Sequence, residues 1–237
     1  MTDEFAYVGD ELELFKAAHN WKRYLRRTLA PLIRGDVLEV GAGLGATTAA
    51  LHDSSCESWT CLEPDPEAHA ELGEAVSELR DSRDNPPRLV VGTLASLEPS
   101  ARYDTVLYVD VLEHIEDDRG ELAQALKCLK PGGHVVVMSP AHQWLYSEFD
   151  RAIGHHRRYT VRSLEECAPP SAEMVCRRYL DSVGVVASLG NRLLLRRSMP
   201  EARHIEMWDR LMVPLSRITD PLVGYRLGKS VLVAWRA

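Results

Sequence analysis

Three glycines within residues 36–48 would let a ligand touch the polypeptide backbone. Gly41, Gly43 and Gly45 lack a Cβ, so the chain can turn tightly there and approach a bound group closely. The residues before them predict a short buried strand, and those after them predict a helix whose free N–H groups face the turn. Glu39 precedes the first glycine, where its carboxylate would repel a pyrophosphate and attract an ammonium or a sulfonium. These residues indicate a pocket for a small ligand that carries positive charge.

A second acidic residue, Glu63, ends the next predicted strand. A carboxylate in that position can accept hydrogen bonds from both hydroxyls of a ribose. The sequence Gly41-x-Gly43-x-x-Ala46 also satisfies the relaxed dinucleotide fingerprint. A nucleotide ligand is therefore predicted, and Glu39, together with the Pro131-Gly132-Gly133 turn before the fifth predicted strand, favours a sulfonium compound over a dinucleotide.

Histidines and aromatic side chains between residues 139 and 159 predict the wall of an acceptor site. An imidazole, whose unperturbed pKa is near ~6.5, suits a general base, and His155 and His156 supply two. Arg157 and Arg158 would either clamp an anionic acceptor or pair with acidic side chains of the chain itself. Aromatic residues of this segment would sandwich a flat or lipidic acceptor, or form the core of a lid. They are Trp144, Tyr146, Phe149 and Tyr159.

Strand patterns alternate with helix patterns over most of the chain. This alternation predicts an α/β fold with a mostly parallel sheet and helices on both of its faces. Ligands of such sheets lie at the carboxyl ends of the strands, which is where the glycines and Glu63 belong. The predicted strands are residues 36–40, 58–63, 88–92, 104–109, 134–138, 174–180 and 230–235. The predicted helices include residues 66–80, 117–129 and 160–167.

We expect a single domain over residues 1–237, with a helical segment over residues 1–30 that precedes the first strand. Trp21 and Tyr24 of that segment would either close over the ligand or pack against the sheet. Residues 140–160 and 184–228 interrupt the alternation, and both are predicted to cap the pocket as insertions.

The second insertion, residues 184–228, carries apolar residues at helical spacing, so helices are expected there before the last strand. Besides a cap, these helices would suit the face of a homodimer. A third alternative is contact with a membrane surface, with Arg192, Arg196 and Arg197 near the lipid headgroups.

Four motifs, in this order, resemble the class I S-adenosylmethionine (SAM)-dependent methyltransferases. They are Glu39 to Gly45, Leu62-Glu63-Pro64, Asp110-Val-Leu-Glu-His114 and Leu129-Lys-Pro-Gly-Gly133. The resemblance implies a doubly wound, seven-stranded sheet with an antiparallel last strand. The implied SAM-binding residues are Glu39, Gly41, Ala42, Gly43, Glu63, Pro64, Thr93, Leu94, Asp110 and Val111. Thr93 departs from the acidic or amide residue that the family usually offers to the adenine.

The pattern Asp-x-x-x-Gly-His-x-x-Arg-Tyr, from Asp150 to Tyr159, is similar to that of a bacterial subgroup of small-molecule methyltransferases in the same superfamily. His155, Asp110 and Tyr159 are our candidate catalytic residues, with His155 as the general base. This base favours methylation of an oxygen on a small-molecule acceptor, which would be anionic or aromatic.

The run from Asp110 to His114 has two interpretations. Glu113 and His114 would belong to a surface turn that orients the next helix. Alternatively, Asp110, Glu113, His114 and His155 would ligate a divalent ion such as Mg²⁺, Mn²⁺ or Zn²⁺. The spacing is similar to that of the ubiquinone-pathway O-methyltransferases and of the plant small-RNA 2′-O-methyltransferase.

The composition of the chain disfavours several classes of protein. The net charge of −7 disfavours a broad nucleic-acid interface. Five scattered cysteines without a Cys-x-x-Cys pair fit a reducing cytoplasm rather than a disulfide framework. The longest apolar run, residues 183–195, is too short for an integral membrane segment. The alternatives to a SAM-dependent methyltransferase are an NAD-dependent oxidoreductase, a regulatory SAM-binding module and a metal-dependent RNA methyltransferase.

Overall fold

The computed structural model describes residues 17–53, 55–80, 85–190 and 202–237 of the chain. Two parts of the predictions therefore lie outside the described residues. They are residues 1–16 of the helical N-terminal segment and residues 191–201 of the second insertion, which include Arg192, Arg196 and Arg197.

Seven strands form one sheet in the order β3-β2-β1-β4-β5-β7-β6. The strands are β1 (Gly35–Val40), β2 (Cys56–Glu63), β3 (Arg88–Val91), β4 (Tyr103–Val109), β5 (Leu129–Pro140), β6 (Glu173–Leu180) and β7 (Ser230–Arg236). Strands β1 to β5 pair in parallel, and β7 runs antiparallel to both β5 and β6. The predicted doubly wound, mostly parallel sheet with an antiparallel last strand is confirmed.

Helices connect the strands and form the second insertion. They are α1 (His19–Leu29), α2 (Ala46–Leu51), α3 (Pro66–Arg80), α4 (Asp118–Lys127), α5 (Glu148–Ala152), α6 (Val161–Cys167), α7 (Ser182–Gly190), α8 (Ala202–Met207) and α9 (Val213–Leu222). A π-helical turn, Trp208–Met212, joins α8 to α9. The helices predicted before the last strand are thus present. No helix within the described residues is long and apolar enough to cross a membrane.

Apolar side chains fill both faces of the sheet. On one face, Trp21 and Leu29 of α1 pack with Leu72 of α3 and with Leu107 of β4. On the other face, Leu122 of α4 and Leu164 of α6 pack with neighbouring strand residues. Trp21 and Tyr24 are 8% and 6% exposed, so the N-terminal segment packs against the core, as one of the two predictions has it.

The segment Pro131-Gly132-Gly133 lies inside β5, and not before it as predicted. Helix α4 already ends at Lys127, and β5 begins at Leu129. The pairing with β4 shifts between Tyr103↔Leu129 and Thr105↔His134, so the residues between these two pairs bulge out of the ladder. Proline and glycine ordinarily indicate a turn, so the sequence pattern predicted that the strand begins after them. A bulge, however, accommodates both residues within a strand.

Candidate active site

The glycine turn lies against the carboxyl ends of β2 and β4. The N–H groups of Gly41 and Ala42 donate to the Leu62 carbonyl oxygen at 2.7 and 3.2 Å. Gly41 has a φ of 68°, and a Cβ there would come within 2.6 Å of Val111. The close approach to Val111, together with the left-handed backbone, explains why this position requires glycine. The turn therefore brings together three of the residues predicted to bind the cofactor.

Glu63 holds the same turn in place. It is 5% exposed, and its Oε2 accepts a hydrogen bond of 2.7 Å from the Gly43 N–H. Its Oε1 accepts from the Asp65 N–H at 3.0 Å, next to Pro64 and the start of α3. Burial raises the pKa of this carboxyl group, although both backbone hydrogen bonds lower it. Each oxygen of a carboxylate accepts more than one hydrogen bond, so these contacts leave acceptor capacity for the hydroxyls of a ribose.

Glu39 is more deeply buried than its predicted place beside the ligand pocket suggested. It is 2% exposed, and its Oε2 accepts from the Thr48 hydroxyl at 2.7 Å and from the Trp59 indole at 2.8 Å. Burial raises the pKa of Glu39 to about 7, against the effect of its hydrogen bonds. Among the described residues, every donor to this carboxylate contacts Oε2. The carboxylate thus ties β1 to β2 and α2, and Oε1 is the oxygen left for a ligand.

The loop after β3 also reaches this edge of the sheet. The Gly92 N–H donates to the Glu63 carbonyl oxygen at 3.0 Å, which sets the loop beside the end of β2. Thr93 is exposed and caps a short 3₁₀ turn, while Leu94 is buried in it. Both residues predicted to approach the adenine therefore lie next to Glu63, with only the Thr93 side chain open to solvent.

Asp110 directly follows β4 and has a strained backbone conformation. Its φ is 55°, which is uncommon for a residue other than glycine, and its N–H donates to the Met138 carbonyl oxygen at 2.8 Å. The side chain stays accessible to solvent. Surrounding protein limits its hydration and raises its pKa to about 6, against the attraction of His155 and Lys229. Strain of this kind is typical of functional positions.

Glu113, His114 and His155 form a cluster beside Asp110. One potential ligand atom from each lies within 4.8 Å of the others. Glu113 is 0% exposed, and neither of its oxygens forms a hydrogen bond of normal geometry with a described residue. Burial and the nearby Asp110 raise its pKa well above the ordinary value, while the Ser139 hydroxyl lowers it. Glu113 and His114 thus belong to a short 3₁₀ turn, Leu112–His114, as one interpretation has it, but Glu113 is buried and not at the surface.

The pair of His155 and Asp150 gives the cluster its orientation. His155 Nδ1 lies 3.0 Å from Asp150 Oδ1, and His155 Nε2 lies 3.8 Å from Glu113 Oε1. Arg158 holds the same aspartate through both of its oxygens, at 2.7 and 2.9 Å. Burial alone would raise the pKa of Asp150, but the hydrogen bonds from His155 and Arg158 bring it well below its usual range. Asp150 therefore fixes the imidazole so that Nε2 is the nitrogen facing the cluster.

Tyr159 and the two arginines, which were candidates for contact with the reactants, bind other side chains of the protein. Tyr159 is 1% exposed, and its hydroxyl donates to Asp118 Oδ2 at 2.8 Å, so we revise its predicted catalytic role to a structural one. Arg157 pairs with Asp118 at 2.6 Å, and Arg158 pairs with Asp150. Of the two alternatives for these arginines, the structure shows the internal ion pairs.

The aromatic residues of the first insertion form a partly open wall. Trp144 is 46% exposed, and its ring lies 5.5 Å from that of His142. The Tyr146 hydroxyl donates to the His155 carbonyl oxygen at 2.6 Å. Tyr146 therefore supports the segment that carries the candidate base, and Trp144 is the aromatic side chain with the most free surface among the described residues of the insertion.

Lys229 is a residue of this site that the sequence analysis missed. It immediately precedes β7, and its carbonyl oxygen accepts from the Ala141 N–H at 2.7 Å. Burial lowers the pKa of Lys229. The negative charges of Asp181, Asp150 and Asp110 offset part of this decrease. Because β7 is antiparallel, its first residue reaches the edge where the parallel strands end. The predicted direction of the last strand was the signal that could have identified it.

Comparison with known proteins agrees with this geometry. A family model described as a methyltransferase domain matches residues 15–209. The demethylmenaquinone methyltransferase of Tropheryma whipplei (strain Twist) is 30% identical over 131 residues, which cover 55% of this chain and 52% of that protein. The ubiquinone biosynthesis O-methyltransferase of Bradyrhizobium sp. (strain ORS 278) is 29% identical over 121 residues, 46% of this chain and 41% of that protein. The chain thus spans about half the length of the curated relatives that it matches.

Solved structures share the fold at low sequence identity. The N-methyltransferase NodS from Bradyrhizobium japonicum WM9, in complex with S-adenosyl-L-homocysteine, has a TM-score of 0.57 and 16% identity, with 98% of each chain covered. The [4+2]-cyclase SpnF has a TM-score of 0.61 and 14% identity, with 97% of this chain and 94% of that chain covered. At such identities the likeness concerns the fold alone. From the family match and this fold, the chain belongs to the methyltransferase domain family and has the fold of the class I SAM-dependent methyltransferases.

Proposed function

We propose that this chain is an enzyme that transfers the methyl group of SAM to a small-molecule acceptor. The family match and the names of the relatives support the reaction class, and the complex of NodS supports the cofactor. The bound sulfonium would supply a methyl group on a good leaving group. The residues that would hold SAM lie together at one edge of the sheet. They are Gly41, Gly43, Glu63, Asp110 and Val111.

We propose that the methylated atom is an oxygen, and the pair of Asp150 and His155 is the observation that carries this choice. A hydroxyl needs a base to become a good nucleophile, whereas a neutral amine does not. Asp150 holds His155 Nδ1 at 3.0 Å and so leaves Nε2 to accept a proton. The same arrangement would be superfluous for an amine acceptor.

In the proposed reaction, the acceptor oxygen attacks the methyl carbon while the carbon–sulfur bond breaks and its electron pair stays on sulfur. His155 Nε2 takes the hydroxyl proton, and Asp150 stabilises the imidazolium that forms. Arg158 balances the charge of Asp150 through two hydrogen bonds. The protein contributes mainly alignment of the two reactants and exclusion of water.

An aromatic hydroxyl compound is the acceptor class that we propose. The names of two relatives refer to menaquinone and ubiquinone, and one is an O-methyltransferase. Trp144 offers an exposed aromatic face in the first insertion. The proposal of an anionic acceptor loses its support from Arg157 and Arg158, since both are paired with aspartates.

A divalent metal ion is the second candidate for activating the oxygen. Glu113, His114 and His155 would hold it, because their ligand atoms converge and the buried Glu113 carboxylate has no hydrogen bond of normal geometry. Metal-binding histidines commonly hold their other ring nitrogen against a carboxylate that orients the ring, as Asp150 does with His155 Nδ1. A metal would supply Lewis-acid activation of the hydroxyl at this place. His155 Nε2 would then be a ligand and not the base.

Product analysis tests the proposed function. The purified chain is incubated with SAM and a panel of phenols, quinols and amines, and S-adenosylhomocysteine and methylated products are measured by mass spectrometry. O-methylated products are expected. Methylated amines alone would contradict the oxygen assignment, and binding of SAM without turnover of any acceptor would favour a regulatory SAM-binding module. Binding of NADH without binding of SAM, measured by titration calorimetry, would contradict the whole proposal.

A further inference from the structure

The segment from α8 to α9, residues 202–222, has an inverted distribution of polarity. Three of its five buried residues are polar, whereas five of its large apolar residues are exposed. The buried residues are Ile205, Asp209, Val213, Ser216 and Asp220. The exposed apolar residues, which we call the apolar stripe, are Met207, Leu211, Leu215, Ile218 and Leu222, with exposures of 45, 67, 49, 63 and 79%. A surface helix of a globular protein ordinarily turns such a stripe towards the core.

The two buried aspartates explain why this helix cannot rotate to bury its stripe. Asp209 accepts hydrogen bonds from the backbone N–H groups of Asn20 and Trp21 at 3.1 and 2.8 Å, at the start of α1. Asp220 accepts from the Tyr24 hydroxyl at 2.6 Å and from the backbone N–H groups of Asp181 and Ser182. Rotation would strand these carboxylates without partners, which is costly for a buried charge. The exposure of the stripe is therefore fixed by the packing of the protein.

Three arginines lie next to the stripe. Arg27, Arg178 and Arg217 line an open cavity of about 460 Å³ together with Tyr24, Tyr225 and Ile218, the last of which belongs to the stripe. The lining contains no carboxylate, and none of the three arginines forms an ion pair with a described residue. Arg178 lies over the Tyr225 ring, 4.7 Å from its centre. In a chain of net charge −7, this is a local concentration of unpaired positive charge.

We propose that this face docks onto a lipid bilayer that contains anionic lipids. The apolar stripe enters the boundary between headgroups and acyl chains, and Arg27, Arg178 and Arg217 bind the phosphates of the headgroups. An apolar helix face next to unpaired cations has the two properties that binding to such a surface uses. The proposal is independent of the methyl-transfer reaction.

A second copy of the chain is the alternative occupant of this face. A symmetric dimer about a two-fold axis would place the same patch on both sides, so the unpaired arginines of both copies would be brought into one interface. Such like charges oppose association when no carboxylate lies among them. Charge complementarity therefore favours the anionic bilayer over the homodimer.

Cosedimentation of the full chain with vesicles tests the proposal. We expect binding to vesicles of equimolar phosphatidylcholine and phosphatidylglycerol, and at least about tenfold weaker binding to phosphatidylcholine alone. The double variant Leu211→Gln, Leu222→Gln should lose most of the binding to the anionic vesicles. Each of Arg27→Gln and Arg217→Gln should weaken it about fivefold. Circular dichroism establishes that the variants are folded.

Matched controls come from the opposite parts of the surface. Val91, which is 52% exposed, and Arg162, whose side chain is 87% exposed, lie on β3 and α6, away from the stripe. Val91→Gln and Arg162→Gln should leave vesicle binding unchanged. Absence of cosedimentation with either type of vesicle would overturn the proposal, as would equal binding by the stripe variant. A dimer in sedimentation velocity that the stripe variant dissociates, without vesicle binding, would assign the face to a second copy instead.

Discussion

Asp150 Oδ1 lies 3.0 Å from His155 Nδ1 and 2.7 Å from Arg158 Nε, so one buried carboxylate oxygen serves both an imidazole and a guanidinium. The guanidinium balances the charge of the carboxylate, and the carboxylate in turn orients the imidazole. These three residues belong to the pattern Asp-x-x-x-Gly-His-x-x-Arg-Tyr that stood out in the sequence. Contacts among Asp150, His155 and Arg158 thus explain these three positions of the pattern, with His155 Nε2 as the atom left to face the site.

Replacement of the candidate base gives the most direct prediction. His155→Ala should lower kcat by ~10²–10⁴-fold if His155 accepts the acceptor proton. SAM affinity, measured by titration calorimetry, should stay close to that of the wild type, since the cofactor residues lie on other loops. His156→Ala is the matched control, because His156 is the exposed neighbour and should leave the rate nearly unchanged. A near-normal rate for His155→Ala would show that the residue only supports the fold.

Tyr159→Phe tests the revised role of the tyrosine. The variant loses the hydrogen bond of the hydroxyl to Asp118, which the structure shows at 2.8 Å. We expect the free energy of unfolding to fall by about 1–3 kcal/mol, as for a buried hydrogen bond to a charged group. The rate per folded molecule should remain close to the wild-type value. A large loss of kcat with unchanged stability in urea denaturation would restore the catalytic assignment.

The pKa of Glu39 predicts a pH dependence of cofactor binding. Its pKa of about 7 means that the apo protein holds this proton more tightly than the unfolded chain does. The contribution of Glu39 to stability is therefore complete at low pH and lost as the pH rises through about 7. If Oε1 faces the positive charge of SAM, binding favours the ionised carboxylate, and affinity should increase between pH 6 and 7.5, a range set around that value.

Glu39→Gln provides the control for this prediction. The variant keeps the shape of the side chain but has no proton to release, so its SAM affinity should not vary with pH over the same range. Titration calorimetry in buffers of different ionisation enthalpy measures the released proton directly. An identical pH dependence of the variant and the wild type would mean that Glu39 only ties β1 to Trp59 and Thr48.

The two candidates for activating the acceptor oxygen make opposite predictions about metal. If Glu113, His114 and His155 bind a divalent ion, added Mn²⁺ or Zn²⁺ should raise the melting temperature, and Glu113→Gln should abolish that shift. Excess EDTA should then abolish turnover. If His155 is the base, turnover in EDTA should be undiminished, and elemental analysis of the purified chain should find no stoichiometric metal.

Much of the fold could be predicted because its signals are local. Alternating strand and helix patterns fixed the parallel sheet, and the glycines with Glu63 located its ligand edge. The position of Pro131 to Gly133 inside β5 could not be predicted, because a bulge depends on the pairing register with β4. Lys229 was missed although the predicted antiparallel direction of the last strand would have placed the residue before β7 at this edge.

The partners of charged side chains were the hardest part to predict. The sequence left open whether Arg157 and Arg158 clamp a ligand or pair within the chain, and only the structure identifies their partners as Asp118 and Asp150. The inverted helix of residues 202–222 was also invisible, because helical spacing reveals a stripe but not the side on which it lies. That side is set by hydrogen bonds to α1, which connect distant parts of the sequence.

The bonds of Asp209 and Asp220 to α1 join residues that are 189 and 196 positions apart. These bonds join α1 to the segment of residues 202–222, although neither of them contributes a strand to the sheet. A trimmed protein that began at β1 would keep all seven strands and yet deprive the buried Asp209 carboxylate of its donors on α1, and Asp220 of the Tyr24 hydroxyl. The N-terminal helix is thus as necessary to the far end of the chain as to its own neighbourhood.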